Sequence, residues 1–277
     1  MSSDSVTVKL RTMTINVDGL EAACGKGFFQ LPHVEAADVL CLQDTRCKET
    51  VEIGTSLGYR VAAANPLHYE ASGRRAHGGV AIFSRLPICN ITGPENERSL
   101  FENGQYVSCS VGALRIASVY VKPPAPLESL RAFDRLFTAM EADYPLALIC
   151  GDFNTMRDAR DSWRFYDAVR AQDAGTDAYM RDWFKGLFSQ GWHDVVARDL
   201  NVLPFYTWWE TAKHRRLNKG IRLDYQLASA QLAARVESGT GTPHNDDRRG
   251  RHAQLSITYD LPAISSLAFA TPALAAV

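Results

Sequence analysis

The sequence predicts an α/β fold built as a single domain. Several short apolar runs are typical of buried strands, and a segment with helical periodicity at 127–143 separates two of them. Neither a linker nor a break in composition divides the 277 residues. Hydrophobic residues make up 46% of the chain and charged residues 22%, ordinary values that supply ample material for a core.

The segment 146–154 is the strand around which the other elements are organised. Its apolar residues, bounded by Pro145 and Gly151, predict a buried strand that ends in Asp152 and Asn154. Open α/β sheets place their active groups at the carboxyl ends of strands. In an extended chain these two side chains point the same way, so one reacting atom could meet both.

The first elements follow from periodicity. Apolar and polar residues alternate over 6–16, which predicts a strand ending at Asn16. Helical spacing follows over 20–35, and Pro32 is expected to break that helix. A second buried strand is predicted at 39–44, again ending in an amide and a carboxylate.

The middle of the chain contains two predicted strands and a hairpin. The strand at 59–63 has the weaker signal, whereas the one at 80–84 follows a Gly-Gly pair. The segments 106–111 and 114–121 are predicted to form a hairpin that turns at Gly112.

The last predicted elements alternate between helices and strands. Apolar residues three and four apart predict helices over 127–143 and 179–188. Strands are predicted at 205–209, where the residues are aromatic, at 221–227, and at 254–260, where apolar and polar residues alternate.

Polar side chains at the ends of these strands are suited to phosphate chemistry. The set comprises Asn16, Asp44, Asp152 and Asn154, with Asp224 and His252 in or beside late strands. Mg²⁺ takes one or two carboxylates and completes its shell with water and substrate phosphate. An Asp–His pair supplies an oriented imidazole. These groups therefore indicate metal-assisted hydrolysis of a phosphate ester.

Short motifs along the chain carry a family resemblance. They are Ile15-Asn-Val-Asp-Gly-Leu20, Asp38-Val-Leu-Cys-Leu-Gln-Asp44, Gly78-Gly-Val-Ala-Ile-Phe-Ser84, Val119-Tyr-Val121, Ile149-Cys-Gly-Asp-Phe-Asn154, Tyr206-Thr-Trp-Trp209, Arg222-Leu-Asp-Tyr225 and His252-Ala-Gln-Leu255. Their order and spacing resemble the exonuclease III class of apurinic/apyrimidinic endonucleases, within the endonuclease/exonuclease/phosphatase superfamily. The resemblance implies a four-layer α/β sandwich of two packed, mainly antiparallel β-sheets flanked by helices. This domain is expected over 6–262, and the Ala-, Ser- and Pro-rich residues 263–277 are expected to form a flexible C-terminal tail.

The resemblance also implies roles for single residues. It gives the metal site to Asn16 and Asp44, with Mg²⁺ as cofactor and Mn²⁺ as a substitute. It gives catalysis to Tyr120, Asp152, Asn154, Asp224 and His252. Tyr120 would contact the phosphate or activate the nucleophile, and Asp152 would orient or deprotonate the attacking water. Asn154 would hold the phosphate, and His252, paired with Asp224, would stabilise the charge that develops on the phosphoryl group.

The chain departs from the family pattern at the metal site. Asp44 stands where the family usually has Glu, and Gly250-Arg251-His252 replaces the usual Ser-Asp-His. A cation at Arg251 is expected to weaken divalent metal binding, and its guanidinium could take over part of the metal's role. Gln43-Asp-Thr-Arg46 also resembles the catabolite-repression-control proteins, which are RNA-associated regulators. Those proteins lack the Gly-Asp-x-Asn motif that this chain keeps at 151–154.

Basic loops are the candidates for nucleic-acid contact, because a formal net charge of −1 leaves no overall positive bias. The candidate residues are Arg74, Arg75, Trp208, Lys213, Arg215, Arg216, Lys219 and Arg251. Each basic cluster could equally be a solvated loop, and Trp208 could be a core residue. The remaining histidines, His77 among them, are expected to be incidental.

The leading hypothesis is a metal-dependent phosphodiesterase of DNA repair that cleaves at abasic sites or trims 3′ ends. Its expected partner is double-stranded DNA, bound by a monomer in the cytoplasm. A cytoplasmic location is expected because none of the six cysteines forms a CxxC pair and neither a signal peptide nor a membrane-spanning run is present. Two alternatives stay open: an RNA-binding regulator with little catalysis, and a phosphoesterase acting on a small molecule or lipid.

Overall fold

A computed structural model describes residues 7–65, 77–93, 95–166, 178–196, 205–238, 242–244 and 250–262. The strands are β1 Thr7–Asn16, β2 Val39–Gln43, β3 Arg60–Ala64, β4 Val80–Ser84, β5 Tyr106–Val111, β6 Leu114–Tyr120, β7 Ala147–Asp152, β8 His193–Asp194, β9 Asp224–Ala228, β10 Thr242–His244 and β11 Gln254–Pro262. The α-helices are α1 Leu20–Gly25, α2 Pro32–Glu35, α3 Thr50–Ser56, α4 Arg98–Glu102, α5 Leu127–Asp143, α6 Ala178–Ser189, α7 Ala212–Arg216 and α8 Ala230–Ala233. Short 3₁₀ turns lie at Phe28–Gln30, Ala159–Asp161 and Trp163–Tyr166.

The strands form two sheets. The first has the order β10-β11-β1-β2-β4-β3, and the second has the order β5-β6-β7-β9-β8. Each sheet contains one parallel pair, β1 with β2 and β6 with β7, and its other neighbours are antiparallel. The predicted fold of two mainly antiparallel sheets is therefore confirmed.

Three apolar layers hold the sandwich together. Side chains such as Cys41 and Ile82 of the first sheet meet Ile116 and Cys150 of the second, all fully buried between the sheets. Helices α5 and α6 cover the outer face of the second sheet, and the segment from α1 to α3 covers the outer face of the first. The architecture is thus helix, sheet, sheet, helix, as the family resemblance implied.

Buried polar side chains link the two sheets at defined positions. The Thr12 hydroxyl donates to the Gln226 side chain at 2.9 Å, and the Gln43 amide donates to the Ser118 hydroxyl at 3.0 Å. Since buried polar groups are costly when unpaired, these bonds favour one register of sheet against sheet. That register determines which strand ends meet at the site.

Most predicted elements are present, and the 127–143 helix has the bounds that the sequence predicted. The helical spacing at 20–35 is divided into α1, a 3₁₀ turn and α2. Pro32 begins α2 instead of ending a longer helix, since proline is well accommodated in the first turn. The short helices α3, α4, α7 and α8 were not predicted, because a single turn or two carries too little periodicity.

Two strand predictions need correction. The segment 205–209 is not a strand: within it only Trp208 makes isolated bridges, to Ile221 and His252. The strand predicted at 221–227 begins at Asp224, because the preceding backbone bonds to loops. The Arg222 amide donates to the Asp161 carbonyl and the Leu223 amide to the Thr207 hydroxyl.

The C-terminal residues 263–277 lie outside the described part of the chain, so the domain limit and the tail stay predictions. Within the described residues, no helix combines the length and the apolar character that crossing a membrane requires.

Gly151 is a point of close approach between β6 and β7. A Cβ atom there would lie 2.2 Å from the Val119 carbonyl oxygen. We therefore expect Gly151→Ala to lower the free energy of unfolding by about 1–3 kcal/mol in urea denaturation. Gly186→Ala is the control, because a Cβ there meets nothing within 4 Å inside α6 and should stabilise by about 1 kcal/mol. Equal effects of the two substitutions would contradict the close approach.

Candidate active site

A cavity of about 540 Å³ opens at the ends of the central strands. Its polar lining residues are Asn16, Asp18, Asp44, Arg46, His77, Tyr120, Asp152, Asn154, Arg251 and His252. Its apolar lining residues are Pro123, Met180, Trp208, Ile221 and Leu223, of which the last three pack together. Every predicted catalytic and metal residue except Asp224 lines this cavity, and Asp224 is buried directly behind it against His252.

A hydrogen bond between the sheets lies at the base of the cavity. Asn16 is the last residue of β1 and Asp152 the last of β7, so each sheet contributes one strand end. The Asn16 side-chain amide donates to Asp152 Oδ2 at 2.9 Å, and Asn16 Oδ1 accepts from the Asp18 amide at 3.0 Å. Asn16 therefore fixes the orientation of the Asp152 carboxylate.

Asn154 reaches the cavity through a turn, not through an extended strand as the sequence analysis assumed. Its φ is +48°, in the left-handed region that asparagine tolerates better than most residues. The Asn154 backbone amide donates to Asp152 Oδ1 at 2.9 Å, and its side chain donates to the Val121 carbonyl at 3.0 Å. Both Asp152 oxygens thus accept a hydrogen bond.

The predicted pairing of Asp224 with His252 is present. Asp224 begins β9 directly opposite Asp152 in the antiparallel register. His252 Nδ1 lies 2.9 Å from Asp224 Oδ2, and His252 Nε2 lies 3.9 Å from Asp152 Oδ2. Because an ionised carboxylate only accepts hydrogen bonds, Asp224 fixes the proton on Nδ1 and directs Nε2 toward Asp152.

The two neighbouring carboxylates shift the titration of the site. Burial, and then the charge of Asp224, raise the pKa of Asp152 to about 7, against opposing effects of His252, Asn16 and the Asn154 amide. Burial alone would lower the pKa of His252, but Asp224 and Asp152 outweigh it and raise that pKa. A carboxylate that titrates near neutrality beside a readily protonated imidazole is suited to acid–base chemistry.

Tyr120 ends β6 opposite Asp152 in the parallel register and lines the cavity. Burial, with the charges of Asp44 and Asp152, raises the pKa of Tyr120 well above its ordinary value. Tyr120 is therefore a neutral phenol that can donate a hydrogen bond, which favours phosphate contact over a phenolate role.

Asp44 also lines the cavity, and both of its carboxylate oxygens accept hydrogen bonds. Its Oδ2 accepts from Arg46 Nη2 at 2.5 Å, and its Oδ1 accepts from the Gly78 amide at 2.8 Å. Burial alone would raise the pKa of Asp44, but Arg46, Gly78 and His77 together lower it. His77 Nδ1 lies 3.4 Å from Asp44 Oδ2, so the expectation that His77 is incidental needs correction.

Asp18 and Arg251 close the rim of the cavity. Arg46 Nη2 lies 2.7 Å from Asp18 Oδ1, and Arg251 Nε lies 3.6 Å from Asp18 Oδ2. The Arg251 side chain is half exposed, beside the site as the sequence predicted. Sequence reasoning had assigned no role to Asp18 or Arg46. The only signal for them was proximity to Asn16 and Asp44 in the chain.

The predicted metal pair does not fit a resident divalent cation. Asn16 Oδ1 accepts from the Asp18 amide, and both Asp44 oxygens are hydrogen-bonded, one of them to a guanidinium. At about 4 Å and an effective dielectric near 20, each pair of like unit charges costs about 4 kcal/mol before screening. Because a divalent cation has two unit charges, its repulsion by the Arg46 guanidinium would be about twice that energy.

A different set of ligands is close enough to hold a metal ion. Asp152, Asp224 and His252 each offer one ligand atom, and these atoms lie within 4.8 Å of one another. Asp224 Oδ1 is buried without a hydrogen-bond partner among the described residues. This cluster, which could take an ion, therefore coincides with the predicted catalytic residues and not with the pair that the sequence predicted.

The predicted nucleic-acid residues have different environments. Trp208 lines the cavity and packs beside Met156, Ile221 and Leu223. Lys213 and Arg216 are exposed on or beside the last turn of α7, and the Lys219 ammonium lies 4.7 Å from the centre of the Trp163 ring. Arg74 and Arg75 lie outside the described residues.

Arg215 is buried, which corrects its assignment to a phosphate-contacting loop. Its guanidinium donates to the Gly250 carbonyl at 2.7 Å and to the His252 carbonyl at 3.2 Å. It also lies 4.6 Å from the centre of the Trp209 ring. Arg215 therefore holds the backbone that carries His252.

These features define a phosphoesterase-type site between two sheets, and the chain belongs to the Endonuclease/Exonuclease/phosphatase family, whose model matches residues 13–264. The chain is 26% identical to the DNA repair nuclease APEX1 of Danio rerio over 83% of this chain and 76% of that protein. It is 27% identical to the recombination repair protein 1 of Drosophila melanogaster over 82% of this chain but only 34% of that protein. A solved 3′-5′ exonuclease from Neisseria meningitidis superposes with a TM-score of 0.75 at 19% identity, covering 91% of this chain and 100% of that one.

The raised pKa of Asp152 has a consequence for stability. Between its ordinary 3.8 and its folded value of about 7, only the folded state keeps this proton, so stability falls as pH rises through that window. From about pH 5 to pH 7 the contribution of Asp152 to the free energy of unfolding should fall by nearly 1.4 kcal/mol per pH unit, and Asp152→Asn should remove that contribution. Chemical denaturation at each pH measures this difference.

Asp143→Asn is the control, since Asp143 is exposed at the end of α5. This variant should follow the wild-type dependence on pH. Parallel stability curves for wild type and Asp152→Asn would show that the folded protein does not retain a proton on Asp152.

Proposed function

We propose that this chain hydrolyses phosphodiester bonds in DNA, as an abasic-site endonuclease, a 3′-5′ exonuclease or both, in DNA repair. The observation that carries the proposal is the buried group of Asp152, Asp224 and His252, held at the base of an open cavity. The names of the related DNA repair nuclease and of the solved 3′-5′ exonuclease support the same class of substrate. The proposed partner is double-stranded DNA, bound by a monomer in the cytoplasm.

Asp152 is the proposed general base. Its pKa near 7 lets it accept a proton from water at neutral pH, and its bonds to Asn16 and Asn154 fix its orientation. The water oxygen then forms a bond to phosphorus while the bond from phosphorus to the leaving sugar oxygen breaks. The leaving oxygen takes its proton from solvent.

His252 is the proposed stabiliser of the phosphoryl charge. Its Nδ1 donates to Asp224, and the raised pKa of His252 favours the imidazolium, whose Nε2 hydrogen can reach a non-bridging oxygen. Tyr120 and Asn154 add neutral donors at the same wall of the cavity. These donors act on charge that develops in the transition state, which is where stabilisation increases the rate.

The divalent cation that the resemblance implies, Mg²⁺ with Mn²⁺ as a substitute, would neutralise phosphate charge. The residues predicted to bind it, Asn16 and Asp44, already accept hydrogen bonds, and one donor to Asp44 is the Arg46 guanidinium, whose charge opposes a cation. No step of the proposed mechanism therefore passes through a metal ion.

The apolar wall suits the sugar part of the substrate. Trp208, Ile221 and Leu223 form a surface beside the catalytic group. A deoxyribose without its base, or a terminal nucleoside, can bury apolar surface there while its phosphate meets the polar wall. This division of the cavity favours a nucleic-acid end or an abasic site over a small inorganic phosphate.

A second candidate function is an RNA-binding regulator without cleavage. The observation that favours it is the ion pair of Asp44 with Arg46 at the predicted metal site. Intact Asp152, Asp224 and His252 favour the nuclease, and the cleavage test below distinguishes the two.

Asp152→Asn should lower cleavage of a labelled abasic duplex at least about 100-fold, the usual scale for a general base. Duplex binding should persist, because the substituted side chain keeps its size and position. Cleavage would be timed on gels with Mg²⁺, Mn²⁺ or EDTA, and Asp143→Asn serves as the exposed control. If Asp152→Asn cleaves like wild type, Asp152 is not the base. If wild type binds without cleaving in all three conditions, the regulator is favoured.

Lys213 and Arg216 should set part of the salt dependence of duplex binding. If each contacts a phosphate, replacing both by Ala should reduce the slope of log affinity against log salt by about 1.8, since each contact contributes about 0.9. Fluorescence anisotropy at several salt concentrations measures the slope. Replacing Arg60 and Arg98 by Ala removes equal charge at exposed positions outside the cavity wall and should leave the slope unchanged. An unchanged slope in the first variant would assign Lys213 and Arg216 to a solvated surface.

A further inference from the structure

We propose that the Arg46 guanidinium takes the place of a divalent cation in this chain, so that Arg46, with Arg251 at the rim, binds the substrate phosphate without a metal. The proposal rests on the proposed function only for the identity of the substrate. Its evidence is the arrangement of charges around Asp18, Asp44 and Arg46 in the cavity wall.

A single nitrogen of Arg46 is surrounded by anionic and basic groups from three parts of the chain. Nη2 lies 2.5 Å from Asp44 Oδ2, 2.7 Å from Asp18 Oδ1 and 2.7 Å from His77 Nδ1. Two carboxylates that converge on one point are the usual surroundings of a bound cation. Here that point is occupied by a charged group of the protein itself.

The backbone conformation of the turn fixes the position of the Arg46 side chain. Asp44 and Arg46 have φ values of +53° and +48°, a left-handed conformation that non-glycine residues rarely adopt. Backbone bonds hold the turn: the Thr45 amide donates to the Gly79 carbonyl at 3.1 Å, and the Arg46 amide donates to the Gly78 carbonyl at 2.9 Å. Strained residues persist only where their surroundings determine them, and they concentrate at ligand sites. The turn therefore directs the Arg46 side chain into the cavity.

Among the described residues of this part of the cavity, the charges balance without a metal ion. Asp18 and Asp44 supply two negative charges, and Arg46 and Arg251 supply two positive ones. A divalent cation would add repulsion against both guanidinium groups. A phosphate would be attracted by the positive charge of both guanidinium groups, and the half-exposed Arg251 guanidinium can also present planar N–H donors that match its oxygens in geometry and charge.

This arrangement divides the proposed reaction between two groups of residues. Asp152 and His252 handle the proton and the developing charge, while Arg46 neutralises the phosphate that a metal would otherwise bind. Arg46 is thereby assigned as a catalytic residue, since it would contact the reacting phosphate.

The test measures metal and duplex binding separately, each without reliance on turnover. Mn²⁺ binding is followed by electron paramagnetic resonance, and binding of a duplex containing a tetrahydrofuran abasic analogue is followed by anisotropy in EDTA. Arg46→Gln should bind Mn²⁺ at least tenfold more tightly than wild type and the duplex at least tenfold more weakly. Arg60→Gln is the control, because Arg60 is exposed on β3 and outside the cavity wall, and both affinities should stay unchanged.

Two further variants locate the effect. Arg46→Gln combined with Asp44→Asn should lose the gain in Mn²⁺ affinity, which maps the new ion to Asp44 and not to Asp152, Asp224 and His252. Arg46→Lys keeps the charge and should bind Mn²⁺ as weakly as wild type. It also serves as the measurable variant if Arg46→Gln fails to fold, and tighter Mn²⁺ binding by Arg46→Lys would overturn the proposal.

The outcomes separate this proposal from the proposed function. Unchanged Mn²⁺ affinity in folded Arg46→Gln, or wild-type duplex binding that requires Mn²⁺, would overturn the role of Arg46. If wild type binds no duplex with or without Mn²⁺, the DNA substrate is wrong. The Mn²⁺ comparison then decides the role of Arg46 by itself.

Discussion

The structure of the site depends on the burial of two adjacent carboxylates. Asp152 and Asp224 lie opposite each other on β7 and β9, 1% and 0% exposed. Buried charges of the same sign are costly unless donors or cations compensate them. The donors come from the other sheet through Asn16, from the turn after β7 and from the segment before β11 through His252. The same bonds that offset the burial therefore join the two sheets and orient the catalytic groups.

A second set of residues holds in place the backbone that carries His252. The Arg215 guanidinium donates to the carbonyls of Gly250 and His252. The Trp209 ring packs against this guanidinium, and the Trp209 backbone amide donates to the Arg251 carbonyl. Loss of this support would move the imidazole relative to Asp152. A basic residue beside a nuclease-like site can thus serve the geometry of the site instead of binding a phosphate, and charge alone does not distinguish the two roles.

The sequence predicts a feature of the structure where neighbouring residues determine it, and does not where contacts between distant segments determine it. Strand ends and the 127–143 helix depend on local periodicity, and the pairing of Asp224 with His252 follows from the family motifs. The buried role of Arg215 depends on tertiary contacts with a segment 35 residues away, for which a basic run contains no signal. His77 and Arg46 meet Asp44 because of a left-handed turn, and no residue type in Asp44-Thr-Arg46 demands positive φ. Sequence reasoning therefore predicts the group of Asp152, Asp224 and His252 better than the residues around Asp44 that balance charge.

Asp44 and Arg46, two residues that balance charge in this site, depend on each other. Asp44 is 2% exposed, so without a nearby cation its ionised form would be costly to bury. Arg46 is two residues away and supplies that cation, which also pairs with Asp18. An aspartate is one methylene shorter than the glutamate that the resemblance implies at this position, and the Arg46 guanidinium lies directly against its carboxylate. Asp152, Asp224 and His252 lie together in the site, so in the proposed mechanism the change affects how the site neutralises charge and leaves the proposed proton-transfer groups in place.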